Sequence, residues 1–410
     1  MQTSLPESFL QTATGKAADE ILRNCVHCGF CNATCPTYQL TGDELDGPRG
    51  RIYLMKQALE GQRPSSRTLL HLDRCLTCRA CETTCPSGVD YHLLLDTGRD
   101  YIEQRVRRPL AQRLVRRLLR LVLTSPRRFT PLLRMAQAVR PVLPARLSKS
   151  IPIRAPGGQA VTSTSLPRTM LLLDGCVQPA LAPQINRATQ RVLAALGINA
   201  VIPEGSGCCG ALSHHLTAAQ EARGFMKTNI DAWWPLVEAG AEAIVISASG
   251  CAPMVKDYGR LLADDHKYAG KAARISELAR DLSEVVSAER PEASLKRRAR
   301  GRKIAFHSPC SLQHGQQITG VVEDLLVQSG YTLAPVADTH LCCGSAGSYS
   351  ILQPALAGKL RSDKLEALQA DHPSTIATAN IGCLTHMAGH ARVPVRHWIE
   401  LLEPLFTEAP

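Results

Sequence analysis

The sequence predicts an α+β protein of several domains, in which a helical N-terminal domain precedes two duplicated α/β domains with parallel sheets. Two repeated patterns predict this architecture. A motif of four cysteines, C-x-x-C-x-x-C-x-x-x-C-P, occurs twice in the first hundred residues, with helical stretches around both copies. From about residue 166, apolar runs and helices alternate twice around a different set of four cysteines. We expect domains at residues 1–104, 166–300 and 301–410, and a basic helical segment with a linker at residues 105–165.

The N-terminal domain is built on the first repeated motif, whose second copy lies 50 residues after the first. Three thiolates at this spacing wrap one iron–sulfur cubane, and the fourth binds the partner cluster in two-cluster ferredoxins. A zinc or disulfide framework is the alternative, but zinc sites usually present pairs of C-x-x-C. The spacing therefore predicts two [4Fe-4S] clusters, one held by Cys25, Cys28, Cys31 and Cys85, the other by Cys75, Cys78, Cys81 and Cys35.

Helices are expected around these motifs, at residues 17–24, 48–59 and 89–106. Pro48 suits the first turn of its helix, where no backbone N–H is needed. The gap between the motifs reads as helix, which favours the larger helical ferredoxin type over the compact β-rich type. Arg49 and Arg51 are predicted either to pair with a negative cluster or a partner's carboxylates, or to lie in a solvated loop.

The segment at residues 104–155 is strongly basic, with fourteen Arg or Lys residues and no Asp or Glu. The remaining 33 basic and 36 acidic residues nearly cancel, so the net charge of +11 belongs to this segment. Residues 110–123 predict a helix with arginines on one face and apolar residues on the other. The arginines are at positions 113, 116, 117 and 120, and the apolar residues are Leu114, Leu118, Leu121 and Val122.

A basic amphipathic helix suits an anionic membrane surface, with its leucines buried at the interface. The alternative is a helix docked on its own protein with a solvated arginine face. Nucleic acid is not expected as a partner, because the segment has one aromatic residue, Phe129, and no recognition motif. Prolines between residues 126 and 156 predict that the rest of the segment is broken into short pieces and a linker.

The C-terminal repeat contains the remaining eight cysteines, and each copy has a C-C-G sequence 32 residues after its first cysteine. Each cysteine site follows a predicted strand. Strands that alternate with helices form a parallel sheet, and the loops after such strands share one edge, where ligands bind. We therefore expect the four cysteines of each repeat to converge: Cys176, Cys208, Cys209 and Cys251 in the first, and Cys310, Cys342, Cys343 and Cys383 in the second.

Four converging cysteines suit a further iron–sulfur cluster, a zinc ion or a redox-active dithiol. Buried cysteine packing is the structural alternative, since free cysteine is a common core residue. Repetition of the whole set favours a site.

Together these motifs resemble the iron–sulfur subunits of membrane-associated dehydrogenases. That group includes subunits of glycerol-3-phosphate dehydrogenase, lactate-utilisation proteins and heterodisulfide reductases. The connecting stretches narrow the resemblance, over essentially the whole chain, to the bacterial glycolate oxidase iron–sulfur subunits. These stretches are C-V-H-C-G-F-C (25–31), G-D-E-L-D-G-P-R-G-R-I-Y-L (42–54), H-L-D-R-C-L-T-C (71–78), I-D-A-W-W-P (230–235) and V-R-H-W-I-E (395–400).

The resemblance implies an electron-transfer subunit of an acceptor-dependent 2-hydroxy-acid dehydrogenase. Its partner subunits would carry FAD and oxidise glycolate to glyoxylate, with D-lactate, which gives pyruvate, as a second substrate. Electrons would pass through this chain toward the quinone pool at the cytoplasmic face of the bacterial inner membrane. Two alternatives stay open: an iron–sulfur subunit of another flavin dehydrogenase, for glycerol 3-phosphate or lactate, and a non-redox zinc-binding scaffold.

Several kinds of binding site and targeting signal are not expected. The chain has no P-loop or nucleophile elbow, so we expect no catalytic residue or substrate site in it. Residues 1–15 lack the pattern of a signal peptide, and no window approaches the ~18 apolar residues that span a bilayer. Sixteen cysteines in 410 residues do not suggest a secreted disulfide module. We expect a peripheral membrane protein in a reducing compartment.

Overall fold

A computed structural model describes residues 1–144, 148, 151–154, 166–289, 299 and 301–407. It confirms the α+β architecture: a helical N-terminal part is followed by two parallel four-stranded sheets. The linker predicted before residue 166 and the boundary predicted at residue 300 lie largely outside the described residues.

The N-terminal helices surround both cysteine motifs and pack on a shared apolar core. Leu22, Met55, Leu72 and Leu94 are fully buried in this core. Pro48 begins its helix, as the sequence predicts. The helices are Glu7–Leu10, Ala13–Asn24, Phe30–Ala33, Pro36–Thr41, Pro48–Leu59, Ser66–Asp73, Ala80–Thr83 and Tyr91–Glu103, with a 3₁₀ turn at Glu44–Asp46.

The described part of the basic segment forms two helices, Leu110–Leu123 and Pro126–Val139, which pack on each other and are followed by a 3₁₀ turn at Arg140–Val142. The first has the predicted bounds. The expectation that prolines break the second region into short pieces is wrong for Pro131, which lies inside the helix. Proline there removes one intrahelical hydrogen bond, a loss that the helix tolerates, and Pro126 occupies the first turn, where no N–H is needed.

The first repeat forms a parallel sheet with the order β2-β1-β3-β4. Its strands are β1 (Arg168–Leu172), β2 (Ile198–Val201), β3 (Ile244–Ile246) and β4 (Ala279–Asp281). The pattern of apolar runs predicts the first three strands, and β4 is an addition. The helices are Gln178–Leu181, Pro183–Ala195, Ala211–His215, Ala219–Glu238, Ala252–Lys256, Tyr258–Leu261, Ala269–Leu278 and Leu282–Ala288.

The second repeat has the matching order β6-β5-β7-β8, also parallel. Its strands are β5 (Lys303–His307), β6 (Thr332–Leu333), β7 (Ile376–Thr378) and β8 (Val395–His397), of which β8 is the additional one. The helices are Cys310–Gln313, Val321–Gln328, Tyr349–Leu352, Pro354–Gln369, Ile381–Ala388 and Trp398–Thr407.

The two repeats share one apolar core. Leu172 and Val192 of the first repeat belong to the same buried cluster as Phe306 and Trp398 of the second. Helix Pro183–Ala195 packs against helix Trp398–Thr407. The cysteine-bearing edges meet at this interface, since Asn380 lies between them: the backbone N–H of Gly250 donates to its Oδ1 (3.4 Å).

Candidate metal centres

The two N-terminal motifs use the same backbone turns. In each copy, the residue before the second cysteine and the residue after it have left-handed φ angles: 59° at His27 and 88° at Gly29, 54° at Thr77 and 64° at Arg79. Such angles are uncommon for residues other than glycine and collect at functional sites. Their recurrence at matching positions indicates that both loops are shaped to present their cysteines.

Each loop presents three thiols to an open cavity that a cysteine of the other motif completes. One cavity, of about 440 Å³, is lined by Cys25, Cys28, Cys31 and Cys85, and Cys81 also borders it. The other, of about 300 Å³, is lined by Cys35, Cys75, Cys78 and Cys81. Each cavity is thus bordered by one of the two groups of four cysteines that the motif spacing predicts as ligands, and Cys81 borders both cavities.

Burial favours the neutral form of several thiols in these cavities, among them Cys31 and Cys81. Burial, together with the neighbouring Cys25 and Cys85, raises the pKa of Cys31 to about 11. Burial likewise raises the pKa of Cys81, with contributions from Cys78 and Cys75. Because thiolates are the metal ligands, metal binding would release these protons.

All sixteen cysteines are free. Two sets of four unpaired thiols around two cavities fit the Cys₄ ligation of [4Fe-4S] clusters.

A fully buried arginine lies beside the second cavity. The Arg51 side chain is 1% exposed, and its guanidinium donates to the Cys35 Sγ (3.9 Å), the Thr37 Oγ1 (3.1 Å) and the His71 carbonyl (2.8 Å). Asp46 balances part of this charge: its carboxylate lies 3.8 Å from Arg51 and bonds His71 Nδ1 at 2.8 Å. Of the two sequence interpretations of Arg51, the solvated loop is wrong. The sequence signal for its role was only its place near the first motif.

Arg49, by contrast, is partly exposed and pairs with Glu44 at 2.6 Å. It neither lines the second cavity nor shares the buried hydrogen bonds of Arg51.

The four cysteines of each C-terminal repeat converge at the edge of their sheet. In the first repeat, the Cys208 thiol contacts Cys176 and Cys209, and Cys209 contacts Cys251. In the second, Cys310 and Cys342 are 3.8 Å apart between sulfur atoms. There, Cys343 contacts both Cys342 and Cys383. The convergence expected from strand order is therefore present in both repeats.

The backbone conformation explains why each C-C-G sequence ends in glycine. Gly210 and Gly344 have φ angles of 90° and 85°, and each donates its N–H to the cysteine sulfur two residues earlier at 3.4 Å. A Cβ at Gly344 would lie 2.7 Å from the Ala357 carbonyl oxygen. No larger residue fits that approach without displacing the helix behind it.

The second repeat is in contact with the second N-terminal cavity. Cys78 and Cys310 pack on one small apolar cluster that contains Leu76 and Cys342. Burial raises the pKa of Cys78, and the nearby Cys310 thiol raises it as well. Thr83 bonds His314 Nδ1 at 2.9 Å across the same interface. The C-C-G site of this repeat thus adjoins the second cavity.

The first repeat contacts the N-terminal part elsewhere. Its His214 bonds Asp96 on helix Tyr91–Glu103, with 2.9 Å between Nε2 and Oδ2. Sequence reasoning did not find this pair, because nothing near Asp96 marks it as a partner of a residue 118 positions away.

Comparisons with known proteins agree with this arrangement. A model of the 4Fe-4S dicluster domain matches residues 21–89, and a model of the cysteine-rich CCG domain matches residues 170–256 and 304–388. The glycolate oxidase iron–sulfur subunit of Escherichia coli (strain K12) is 52% identical over 98% of both chains. The chain belongs to the glycolate oxidase iron–sulfur subunit family.

More distant relatives extend the comparison. The probable glycolate oxidase iron–sulfur subunit of Bacillus subtilis (strain 168) is 30% identical over 89% of this chain and 88% of its own. Lactate utilization protein A of Shouchella clausii is 26% identical over 55% of this chain and 95% of its own. The family and its 4Fe-4S domain support an electron-transfer role, and the word subunit in the relatives' names implies a complex with other subunits. No helix in the part of the chain that the structure describes could cross a membrane.

Proposed function

We propose that this chain is the electron-transfer subunit of a glycolate oxidase complex. It would receive electrons from flavin subunits, which carry FAD and oxidise glycolate and D-lactate, and deliver them toward the membrane quinone pool. Two [4Fe-4S] clusters would be held by the crossed sets, Cys25, Cys28, Cys31 and Cys85, and Cys75, Cys78, Cys81 and Cys35. When bound, such clusters supply reversible electron uptake. The observation that carries the proposal is the grouping of these eight thiols around two adjacent cavities.

The first cavity supports a role in electron entry because it opens at the surface. Cys28 is exposed, and beside it Val26 and Phe30 are 66% and 63% exposed. Exposed apolar side chains at the mouth of a redox site suit the docking of a partner subunit. A cluster held in this cavity would therefore be accessible to electrons from a docked flavin subunit.

The second cavity lies further inside. It shares Cys81 with the first cavity and adjoins the C-C-G site of the second repeat through Cys78 and Cys310. The first cavity, the second cavity and the C-C-G site of the second repeat are therefore neighbours in the fold. This order supports a path from the exposed cavity toward the repeats, at which a further cluster or zinc would be bound.

The basic segment supports attachment to an anionic membrane at the cytoplasmic face. Helix Leu110–Leu123 packs on the protein through part of its arginine face: Arg116 pairs with Asp73 at 2.9 Å, and Arg120 pairs with Glu221 at 3.1 Å. Its leucine face points outward. Leu114, Leu118 and Leu121 are 58%, 48% and 47% exposed. This is the reverse of a helix docked by its apolar face, and it leaves the leucines free to enter a lipid interface.

The experiment that tests the function uses the whole complex with a quinone analogue. We expect Cys25→Ser to abolish glycolate-dependent quinone reduction and to lower bound iron. A dye that takes electrons directly from the flavin subunits should still be reduced. Ala33→Ser, an exposed change in the same motif, is the matched control and should behave as wild type. Full turnover of Cys25→Ser with the quinone analogue would contradict the proposal.

The substrate is tested by dye reduction in the purified complex with glycolate, D-lactate and glycerol 3-phosphate in turn. Activity with glycolate and D-lactate supports the assignment. Activity with glycerol 3-phosphate alone would favour the alternative dehydrogenase. A colourless, zinc-loaded protein purified without oxygen would favour the scaffold.

A further inference from the structure

A buried histidine in the second repeat has a free ring nitrogen. His307 is the last residue of β5 and is 2% exposed. Its Nδ1 lies 3.0 Å from the Oγ1 of Thr378, its register partner on β7. Its Nε2 is buried and has no hydrogen-bond partner among the residues that the structure describes. A buried polar atom without a hydrogen-bond partner lowers the stability of the folded protein. A ligand bound to this nitrogen would remove that penalty.

The histidine faces the C-C-G site. The ligand atoms offered by His307, Cys343 and Cys383 all lie within 4.8 Å of one another. All three residues are buried. Cys342 is adjacent in sequence to Cys343 and contacts it, so a further sulfur is close at hand.

The first repeat lacks this feature. The offsets that relate the cysteines, 134 for the first strand and 132 for the third, place Leu173 where His307 is and Ile246 where Thr378 is. Leu173 and Ile246 are buried in the apolar cluster that contains Cys209. The polar pair is therefore an addition to the second site only, and the core of the fold does not require it.

We propose that the second repeat binds a zinc-class divalent ion through His307, Cys343 and Cys383, with imidazole as a ligand that the first repeat does not have. A set of two thiolates and one imidazole, completed by a further ligand, is a common zinc donor set. With the metal on Nε2, the proton would lie on Nδ1, which would donate it to the Thr378 hydroxyl oxygen 3.0 Å away and so fix the tautomer. This hydrogen bond is the usual support for a metal-binding histidine.

The neighbouring groups are compatible with a thiolate-rich site. The buried ammonium of Lys364 donates to the Asp338 carbonyl at 2.6 Å and lies within electrostatic reach of Cys342 and Cys343. The Asn380 side-chain amide donates to the Cys383 sulfur at 3.5 Å. These contacts place a positive charge and an N–H donor close to the cysteine sulfurs.

The test measures zinc in the full-length protein, purified without oxygen, by elemental analysis and X-ray absorption at the zinc edge. We expect one zinc per chain, with sulfur at about 2.3 Å and a nitrogen at about 2.0–2.1 Å. His307→Leu, which copies the first repeat, should lose the zinc. His307→Cys should retain it with a sulfur-only shell. Thr378→Val should weaken zinc binding about 10–100-fold.

The control is His386→Leu, because His386 also lies in the second repeat but bonds the Ala357 carbonyl, and it should keep its zinc. Iron content, measured on every sample, reports whether the protein is folded and whether the N-terminal clusters are intact. Zinc retained in His307→Leu, a shell without nitrogen in the wild type, or a wild type without zinc would each overturn the proposal. None of these results bears on the N-terminal clusters, which the iron content and quinone reduction test separately.

Discussion

At the scale of single residues, Arg51 is the main electrostatic feature of the second cavity. A buried guanidinium stays protonated, and its positive charge stabilises the more negative, reduced state of a neighbouring cluster. Its contact with Cys35 at 3.9 Å places that charge directly beside a predicted ligand. The reduction potential of the second cluster should therefore depend on this residue.

We predict that Arg51→Gln lowers that potential by on the order of 100 mV, from the interaction of unit charges about 5 Å apart at an effective dielectric of about 20. A redox titration followed by electron paramagnetic resonance measures this. Arg49→Gln, which removes a partly exposed charge of the same kind, is the control and should shift the potential much less. Equal shifts in the two variants would show that Arg51 has no special role.

The crossed ligand sets give a second prediction at this scale. Cys85→Ser changes the second motif but should disturb the cluster whose other ligands are Cys25, Cys28 and Cys31. Cys35→Ser should disturb the other cluster, so the two variants should lose different resonance signals. Cys31→Ser is the reference for the first signal. If Cys85→Ser instead altered the signal that Cys78→Ser alters, the ligand sets would not be crossed.

At the residue scale, the position of a cysteine can be predicted from sequence where the spacing of the motif or the topology of the sheet determines it. The four-cysteine groups follow from intervals of two and three residues, and the strand-following cysteines follow from sheet topology. The roles of Arg51 and His307 could not be predicted from the sequence, because these roles depend on burial and on partners far along the chain. His307 had a usable signal, since it replaces the Leu173 of the other repeat.

At the scale of elements, the basic helix Leu110–Leu123 is oriented against the usual rule for surface helices. It packs on the protein through Arg116 and Arg120 and exposes its leucines. The sequence predicts the helix and its two faces but not which face is covered, since that depends on Asp73 and Glu221.

We predict that replacing Leu114, Leu118 and Leu121 by serine reduces binding to vesicles containing anionic lipid. Burying a leucine contributes roughly 1.5–3 kcal/mol, so the loss should be at least tenfold. Neutralising the exposed Arg113 and Arg117 should weaken binding at low salt, with about 1 kcal/mol for each charge. Val327→Ser, an exposed apolar residue elsewhere, is the control. Unchanged binding of the triple leucine variant would exclude the helix as the membrane contact.

The sheets show how far elements follow from sequence. Runs of buried residues at 170–173 and 243–247 predict β1 and β3, with ends shifted by one or two residues. The strands β4 and β8 have three residues each and follow helices closely, so no apolar run marks them. Pairing with β3 and β7 forms them. Pro131 shows the converse, because neighbouring packing keeps a helix that local rules would interrupt.

At the scale of the whole molecule, both repeats dock on the N-terminal part, and the contact of the first is titratable. Burial alone would lower the pKa of His214, but the hydrogen bond and charge of Asp96 outweigh it and raise the pKa. Burial would raise the pKa of Asp96, but His214 lowers it instead. The pair is therefore fully formed between the ordinary pKa values of the two groups, roughly pH 4 to 6.5.

We predict that the stability contributed by this pair is lost as the pH rises through the raised pKa of His214, above about 6.5. A charge-assisted hydrogen bond contributes about 1.5–3 kcal/mol. The measurement is a double-mutant cycle of His214→Gln and Asp96→Asn, read as the thermal midpoint without oxygen at pH 6 and pH 9. The coupling should be present at the lower pH and small at the higher. A coupling that does not change with pH would contradict this assignment.

The central claim is that eight N-terminal thiols hold two iron–sulfur cubanes. The most direct test is the iron and acid-labile sulfide content of the full chain purified without oxygen, compared with the double variant Cys25→Ser, Cys75→Ser. The account predicts equal amounts of iron and sulfide in the wild type and a marked loss of both in the variant. Wild-type protein with zinc but no sulfide would contradict it.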